Sequence, residues 1–147
     1  MKIENIIRKV LREEQEEEKI LKIPGIRYFN NDWNLLQKFL ESQGYPRYSI
    51  GGNLDLFRRD DIESLGNLVR VEGDLNLNVS WGLRSLGNLE YVGGVLDLFN
   101  NKYLESLGDL KYVGDSMFIS ETPLSKNYTT KQIKNTVNVI RHIYNDR

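Results

Sequence analysis

Ile62-Glu-Ser-Leu-Gly-Asn-Leu68 recurs 21 residues on as Leu83-Arg-Ser-Leu-Gly-Asn-Leu89 and again as Leu104-Glu-Ser-Leu-Gly-Asp-Leu110. A second phrase keeps the same interval: Leu54, Leu75, Leu96 and Met117 form one series, and Leu56, Leu77, Leu98 and Ile119 another. A unit of this length cannot bury its own apolar face, so the interval predicts units that stack and share one core, an α/β solenoid. Such arrays mostly act by binding along the surface that their units line up.

Each unit reads as a strand and a return. Val92-Gly-Gly-Val-Leu-Asp-Leu-Phe99 alternates with period 2, which places Val92, Gly94, Leu96 and Leu98 inward and Gly93, Val95, Asp97 and Phe99 outward. The inward sets of the other units are Ile50/Gly52/Leu54/Leu56, Val71/Gly73/Leu75/Leu77 and Val113/Asp115/Met117/Ile119. Asp115 breaks the glycine series in the last unit, where a carboxylate reaches solvent or the C-terminal cap. In the return, Gly66, Gly87 and Gly108 sit where the coil must close tightly, a position that calls for positive φ.

The flanks read as caps. Ile3, Ile6, Ile7, Val10 and Leu11 form one helical stripe, which gives way to the charged run Glu13–Glu18 and ends at Pro24-Gly25. A second helix is predicted from Asp32 to Gln43, capped by Asn31 or Asp32, burying Trp33, Leu36, Phe39 and Leu40, and stopped by Gly44. From Thr129 or Thr130 a last helix is predicted to Tyr144, with Ile133, Val137, Ile140 and Tyr144 toward the array. The chain thus divides into an amphipathic then acidic helix (1–23), a cap with a short helix (24–49), the repeat array (50–125) and a C-terminal capping helix (126–147). This is about three and a half parallel strand rungs between helical caps.

The 147 residues suffice for one continuous core, and the net charge is −1. Residues 50–125 carry 12 acidic and 6 basic side chains, whereas 126–147 carry 5 basic and 1 acidic. No cysteine is present, which suits a reducing cytoplasm and excludes thiolate chemistry. No secretory signal or run of membrane-spanning length is present, so no membrane association is expected.

The motif Val-x-Gly-x-Leu-x-Leu followed by Leu-x-Ser-Leu-Gly-Asn/Asp-Leu, over about residues 50–122, resembles the leucine-rich repeat family in a divergent short form seen in bacterial and phage proteins. That family places an asparagine three residues after the second strand leucine; here Asn101 matches, and Arg59, Ser80 and Thr122 stand at the equivalent positions. The next apolar anchor comes one residue late, at Ile62, Leu83 and Leu104. The resemblance implies a protein-binding concave sheet with no catalytic residues. The opening residues 1–14 are similar to short amphipathic leaders of tailed-phage proteins, some of which target cargo into the prohead.

Outward strand positions form three columns: Asn53/Asp74/Val95/Ser116, Asp55/Asn76/Asp97/Phe118 and Phe57/Asn78/Phe99/Ser120. Rigid aromatics ringed by polar groups are the material of binding hot spots, which nominates Phe57, Asp55, Asn76, Asp97, Phe99 and Phe118 as the partner-binding set. The alternative is that the N-terminal helix folds across them through Ile3, Ile7 and Val10. Asp55 and Asp97, two rungs and about 9.6 Å apart, touch the upper end of an inverting glycosidase spacing, but a solvated sheet carries the same pattern. His142 reads as a surface residue, since one histidine without a thiol builds neither a metal cluster nor a nucleophile pair. Asp60, Asp61 and Glu63 lack the ligand alternation of a calcium loop, and no cofactor or metal is expected. Arg58-Arg59 and the tail cations Lys126, Lys131, Lys134, Arg141 and Arg147 lie apart on an acidic body, which weighs against nucleic acid.

The expected function is therefore non-catalytic binding of another protein. In one version the chain is a phage virion or assembly component, anchored or self-associated through residues 2–22. A rival version is a phage or bacterial inhibitor that sets the acidic sheet against a host protein, and a carbohydrate-active enzyme is the remaining alternative.

Overall fold

A computed structural model describes residues 2–145, apart from the side chains of residues 11–18. The expectations placed on Leu11, on the Glu13–Glu18 run and on Arg147 lie outside the described residues. The chain is α/β. In order, the elements are α1 (Ile3–Glu18), β1 (Leu21–Ile23), a 3-10 turn (Ile26–Phe29), α2 (Trp33–Ser42), β2 (Tyr48–Ile50), β3 (Leu54–Asp55), β4 (Leu68–Val71) and β5 (Leu75–Asn76). There follow β6 (Tyr91–Val92), β7 (Leu96–Asp97), β8 (Tyr112–Val113), β9 (Met117–Phe118), α3 (Pro123–Asn127), α4 (Thr130–Lys134), β10 (Asn138–Val139) and β11 (Ile143–Tyr144).

The strands form two parallel sheets, β1-β2-β4-β6-β8-β10 and β11-β9-β7-β5-β3. Pairing follows the 21-residue interval: Leu54 lies opposite Leu75, Leu75 opposite Leu96 and Leu96 opposite Met117. In the first sheet Val71, Val92 and Val113 line up in the same way. Ile50, Leu54, Leu56, Leu75, Leu77, Leu96, Leu98 and their equivalents belong to one buried cluster between the sheets. The inward leucine series is therefore where the alternation puts it.

The predicted single strand is two. Val92 ends a strand of the first sheet and Leu96 begins one of the second, with Gly93-Gly94-Val95 turning the corner between them. At this corner successive layers approach backbone to backbone. A Cβ on Gly73 would collide with the Asn53 side chain and the carbonyl oxygen of Gly52, and one on Gly94 with the Asp74 carboxylate; in the adjoining column one on Gly93 would meet the carbonyl oxygen of Glu72. The glycine series is thus a corner requirement and not an inward column. Asp115, which replaces it in the last unit, is partly exposed and pairs with Arg141 at 3.6 Å.

Turn chemistry holds each layer closed. Gly66, Gly87 and Gly108 take φ of 63, 58 and 57°, and their amides donate to the hydroxyls of Ser64, Ser85 and Ser106 at 2.9, 3.0 and 2.9 Å. Buried Asn101 donates through Nδ2 to the carbonyls of Leu77 and Leu98 at 2.7 and 2.9 Å. At the equivalent positions the hydroxyls of Ser80 and Thr122 donate to Leu56 and Ile119 carbonyls at 2.8 and 2.6 Å, and so do part of the asparagine's work.

At the N-terminal end α2 is capped by Asp32, whose Oδ1 accepts from Asn34 and Leu35 amides at 2.9 and 3.2 Å. Trp33, Leu36 and Leu40 are buried, Phe39 packs on Phe29, and Gly44 follows at φ 79°. The first helix is shorter than predicted, because Leu21–Ile23 leaves it to pair with Tyr48–Ile50. The opposite end corrects a larger expectation. The helix over 129–144 stops at Lys134, and the chain continues as β10 and β11, one strand onto each sheet. Val137 and Val139 are buried with Asn138 exposed between them, a period-2 pattern of β-branched residues that extends the open edge of β8, as Ile143–Tyr144 extends that of β9. Ile133 and Val137 face the core as expected, while Ile140 and Tyr144 are exposed.

Candidate binding face

The outward column of the second sheet is continuous: Asp55 lies opposite Asn76, Asn76 opposite Asp97, Asp97 opposite Phe118 and Phe118 opposite Tyr144. All six nominated residues sit on this face or in the turn that follows it. The polar members also have a local task. Oδ1 of Asp55, Asn76 and Asp97 accepts the amide two residues on, from Phe57, Asn78 and Phe99, at 3.1, 2.9 and 3.0 Å. Each thereby sets the turn that delivers the next residue in the left-handed region: Arg58, Val79 and Asn100 at φ 55, 57 and 57°. The neighbouring column is also tied into the backbone. Oδ1 of Asn53 accepts the Asp74 amide at 2.8 Å, and Oδ1 of Asp74 accepts that of Val95 at 2.7 Å.

The aromatics divide into covered and open. Phe118 stacks on Tyr144 at 4.6 Å with an interplanar angle of 10°, so the tail strand covers it. Phe57 and Phe99 stay open. The α1 helix does not shield them, since its Ile3, Ile6, Ile7 and Val10 are themselves exposed.

Sequence reasoning missed the corner beside this face. Trp81 is exposed, its indole N–H donating to the Asn100 carbonyl at 2.9 Å, with Lys102 Nζ 4.2 Å from the ring centre. Arg84 lies 5.5 Å from the ring centre of exposed Tyr103. The signal was available: Asp60, Trp81 and Lys102 are 21 residues apart and so share a column. Asp60 Oδ1 accepts the Trp81 amide at 3.3 Å, and Asp61 is paired with Arg59, whose guanidinium holds its carboxyl below the usual range. The acidic turn is thus engaged in the fold. Among the described residues no group of three His, Cys, Asp or Glu side chains is placed to hold a metal, and no helix is long and apolar enough to cross a membrane.

His142 is exposed and sits in the connection between β10 and β11, not on a helix. Its amide donates to Ser116 Oγ at 3.3 Å and its ring meets Tyr144 edge-on. Compared with protein-family models, curated proteins and solved structures, the chain gives no significant match.

Proposed function

We propose that this chain is a leucine-rich-repeat-like solenoid that binds another protein and performs no chemistry of its own. One observation carries the reading: Phe57, Trp81 and Phe99 are 46, 37 and 40% exposed, with Arg58 against the Phe57 ring and Lys102 against the Trp81 ring, on a hydrogen-bonded sheet and its corner. Aromatic side chains on a rigid support lose little freedom on binding and supply large contact area, and together with arginine they dominate interface energetics. The acidic body around them favours a partner with a basic rim. The test is affinity capture from the native host with the full chain and with the Trp81→Ala, Phe99→Ala double variant. Loss of a specific partner at unchanged folding supports the proposal, and retention of every captured protein by the variant removes it.

The exposed stripe of α1 favours a version in which this helix, Ile3–Glu18, anchors the chain on a partner helix or on its own copies, as in a phage virion or assembly component. Sedimentation of the full chain against one lacking residues 1–18, which removes the helix and leaves the Leu21–Ile23 strand in its sheet, tests this, the full chain alone being expected to self-associate or to join the assembly.

A further inference from the structure

We infer that the exposed edge at residues 105–108 takes up an extended segment of a partner protein as an added parallel strand. Besides the two sheets, each layer has a third side, formed by the Leu-x-Ser-Leu-Gly segments, and two of these are hydrogen-bonded together. The amides of Glu105 and Ser106 donate to the Arg84 carbonyl at 2.9 and 3.2 Å, Asp109 to Gly87 at 2.9 Å, and Leu86 to Ser106 at 3.2 Å. Ser85 and Ser106 form a parallel bridge.

The 21-residue equivalence names the groups that would make the next such set: the carbonyls of Glu105 and Gly108 and the amide of Leu107. Among the described residues these three have no backbone partner. The cause is topological. Where the two sheets gain β10 and β11, the third side gains the short helices α3 and α4, which cannot offer a ladder. The helices stand off from the edge and leave a cavity of about 420 Å³, with Glu105–Gly108 along one wall and Leu124, Tyr128 and Ile133 on the other.

Donors and acceptors at strand spacing beside an apolar groove are the requirements for β-strand addition, in which main-chain bonds supply affinity and a side-chain pocket supplies selectivity. The occupant is therefore an extended stretch running parallel to 105–108, with a branched apolar residue followed by a small one, as Leu107-Gly108 follows Leu86-Gly87 in the layer below. A second folded copy does not fit this role. At the far end of the same side Gln37 of α2 lies against Gly66, so a copy has no free segment to offer. This surface is separate from the Phe57/Trp81/Phe99 face, and neither proposal depends on the other.

The probe is a capped synthetic peptide, Leu-Glu-Ser-Leu-Gly-Asp-Leu, the chain's own 104–110 sequence, titrated into the isotope-labelled full chain. Saturable shifts at Leu107 and Gly108 and slowed hydrogen exchange of the Leu107 amide are expected, with the Trp81 indole resonance unmoved. N-methylation of the peptide's second and sixth residues, whose amides face the protein in this register, is expected to weaken binding about tenfold or more. N-methylation of its fourth residue, whose amide faces away, leaves binding within about twofold. The Thr136→Trp variant, which fills the groove from an exposed wall position and leaves the core residues in place, should abolish it. Absence of saturable shifts up to about 1 mM peptide, equal weakening by all three methylations, or full binding to a folded Thr136→Trp would each overturn the inference.

Discussion

The layers between residues 50 and 122 and the last layer, residues 123–144, reach the same register by different means. In the body each layer spans 21 residues and carries its own turn chemistry: an Asx or aspartate cap after the second strand, a serine accepting from a positive-φ glycine, and leucines at fixed offsets. The last layer has none of these phrases and needs five more residues, since Tyr112 pairs with Asn138 and Met117 with Ile143. It is templated by the edges of β8 and β9, which offer unpaired backbone groups and a half-covered core to any segment able to extend. A repeated motif therefore specifies its layer locally, whereas the final layer is specified by the surface it lands on.

Deleting residues 126–147 attacks the templated layer directly and has the largest expected effect. It removes the burial of Ile133, Val137 and Val139, at about 1.5 kcal/mol or more each, and uncovers two strand edges. The truncated chain should aggregate or lose most of its stability in denaturant titration; a soluble chain with unchanged melting would show that the body closes without the tail. Within the layers, Leu96→Ala at a fully buried central position should destabilise by about 2–5 kcal/mol. Val139→Ala at 7% exposure in the tail should cost about 1.6 kcal/mol, for two methyl groups. Equal costs measured by chemical denaturation would mean that tail and body pack alike.

Tyr48 gives the N-terminal layer a pH signature. Its hydroxyl is buried, donates to the Leu65 carbonyl at 2.8 Å and accepts from Gln37 at 3.2 Å; burial raises its pKa far above the usual tyrosine value, and the Gln37 bond opposes this only in part. An unfolded tyrosine ionises near pH 10, so this group's contribution is complete below that pH and is lost as pH rises toward the folded value. Stability should therefore fall above about pH 10, and Tyr48→Phe should flatten that fall while costing about 1 kcal/mol at neutral pH. An unaltered alkaline slope in the variant would place the titrating group elsewhere.

The smallest effect is a gain. Val79 holds φ 57° where the equivalent residues are Arg58, Asn100 and Glu121, and a β-branched side chain is the least suited of these to the left-handed region. Val79→Asn should raise stability by about 1 kcal/mol, read as a higher melting temperature. A lower one would show that the partly buried valine contributes more by packing than it loses by strain.

The sequence by itself determined the register, the inward leucines, the positive-φ glycines and the Asp32-capped α2, because each follows from a repeat interval or a local hydrogen bond. Only tertiary structure decided the rest. Two-residue strands are too short for alternation to show that Val92 and Leu96 belong to different sheets, and the corner between them is imposed by the close approach of successive backbones at Gly93. Ile133, Val137, Ile140 and Tyr144 satisfy a helical spacing, but the Val137/Val139 alternation prevails because the edges of β8 and β9 require strands. The candidate face was legible as a column of outward residues, while its Trp81 corner was not. The exposure of that ring depends on where Asn100 and Lys102 of the next layer meet it, and such neighbours exist only once the layers are stacked.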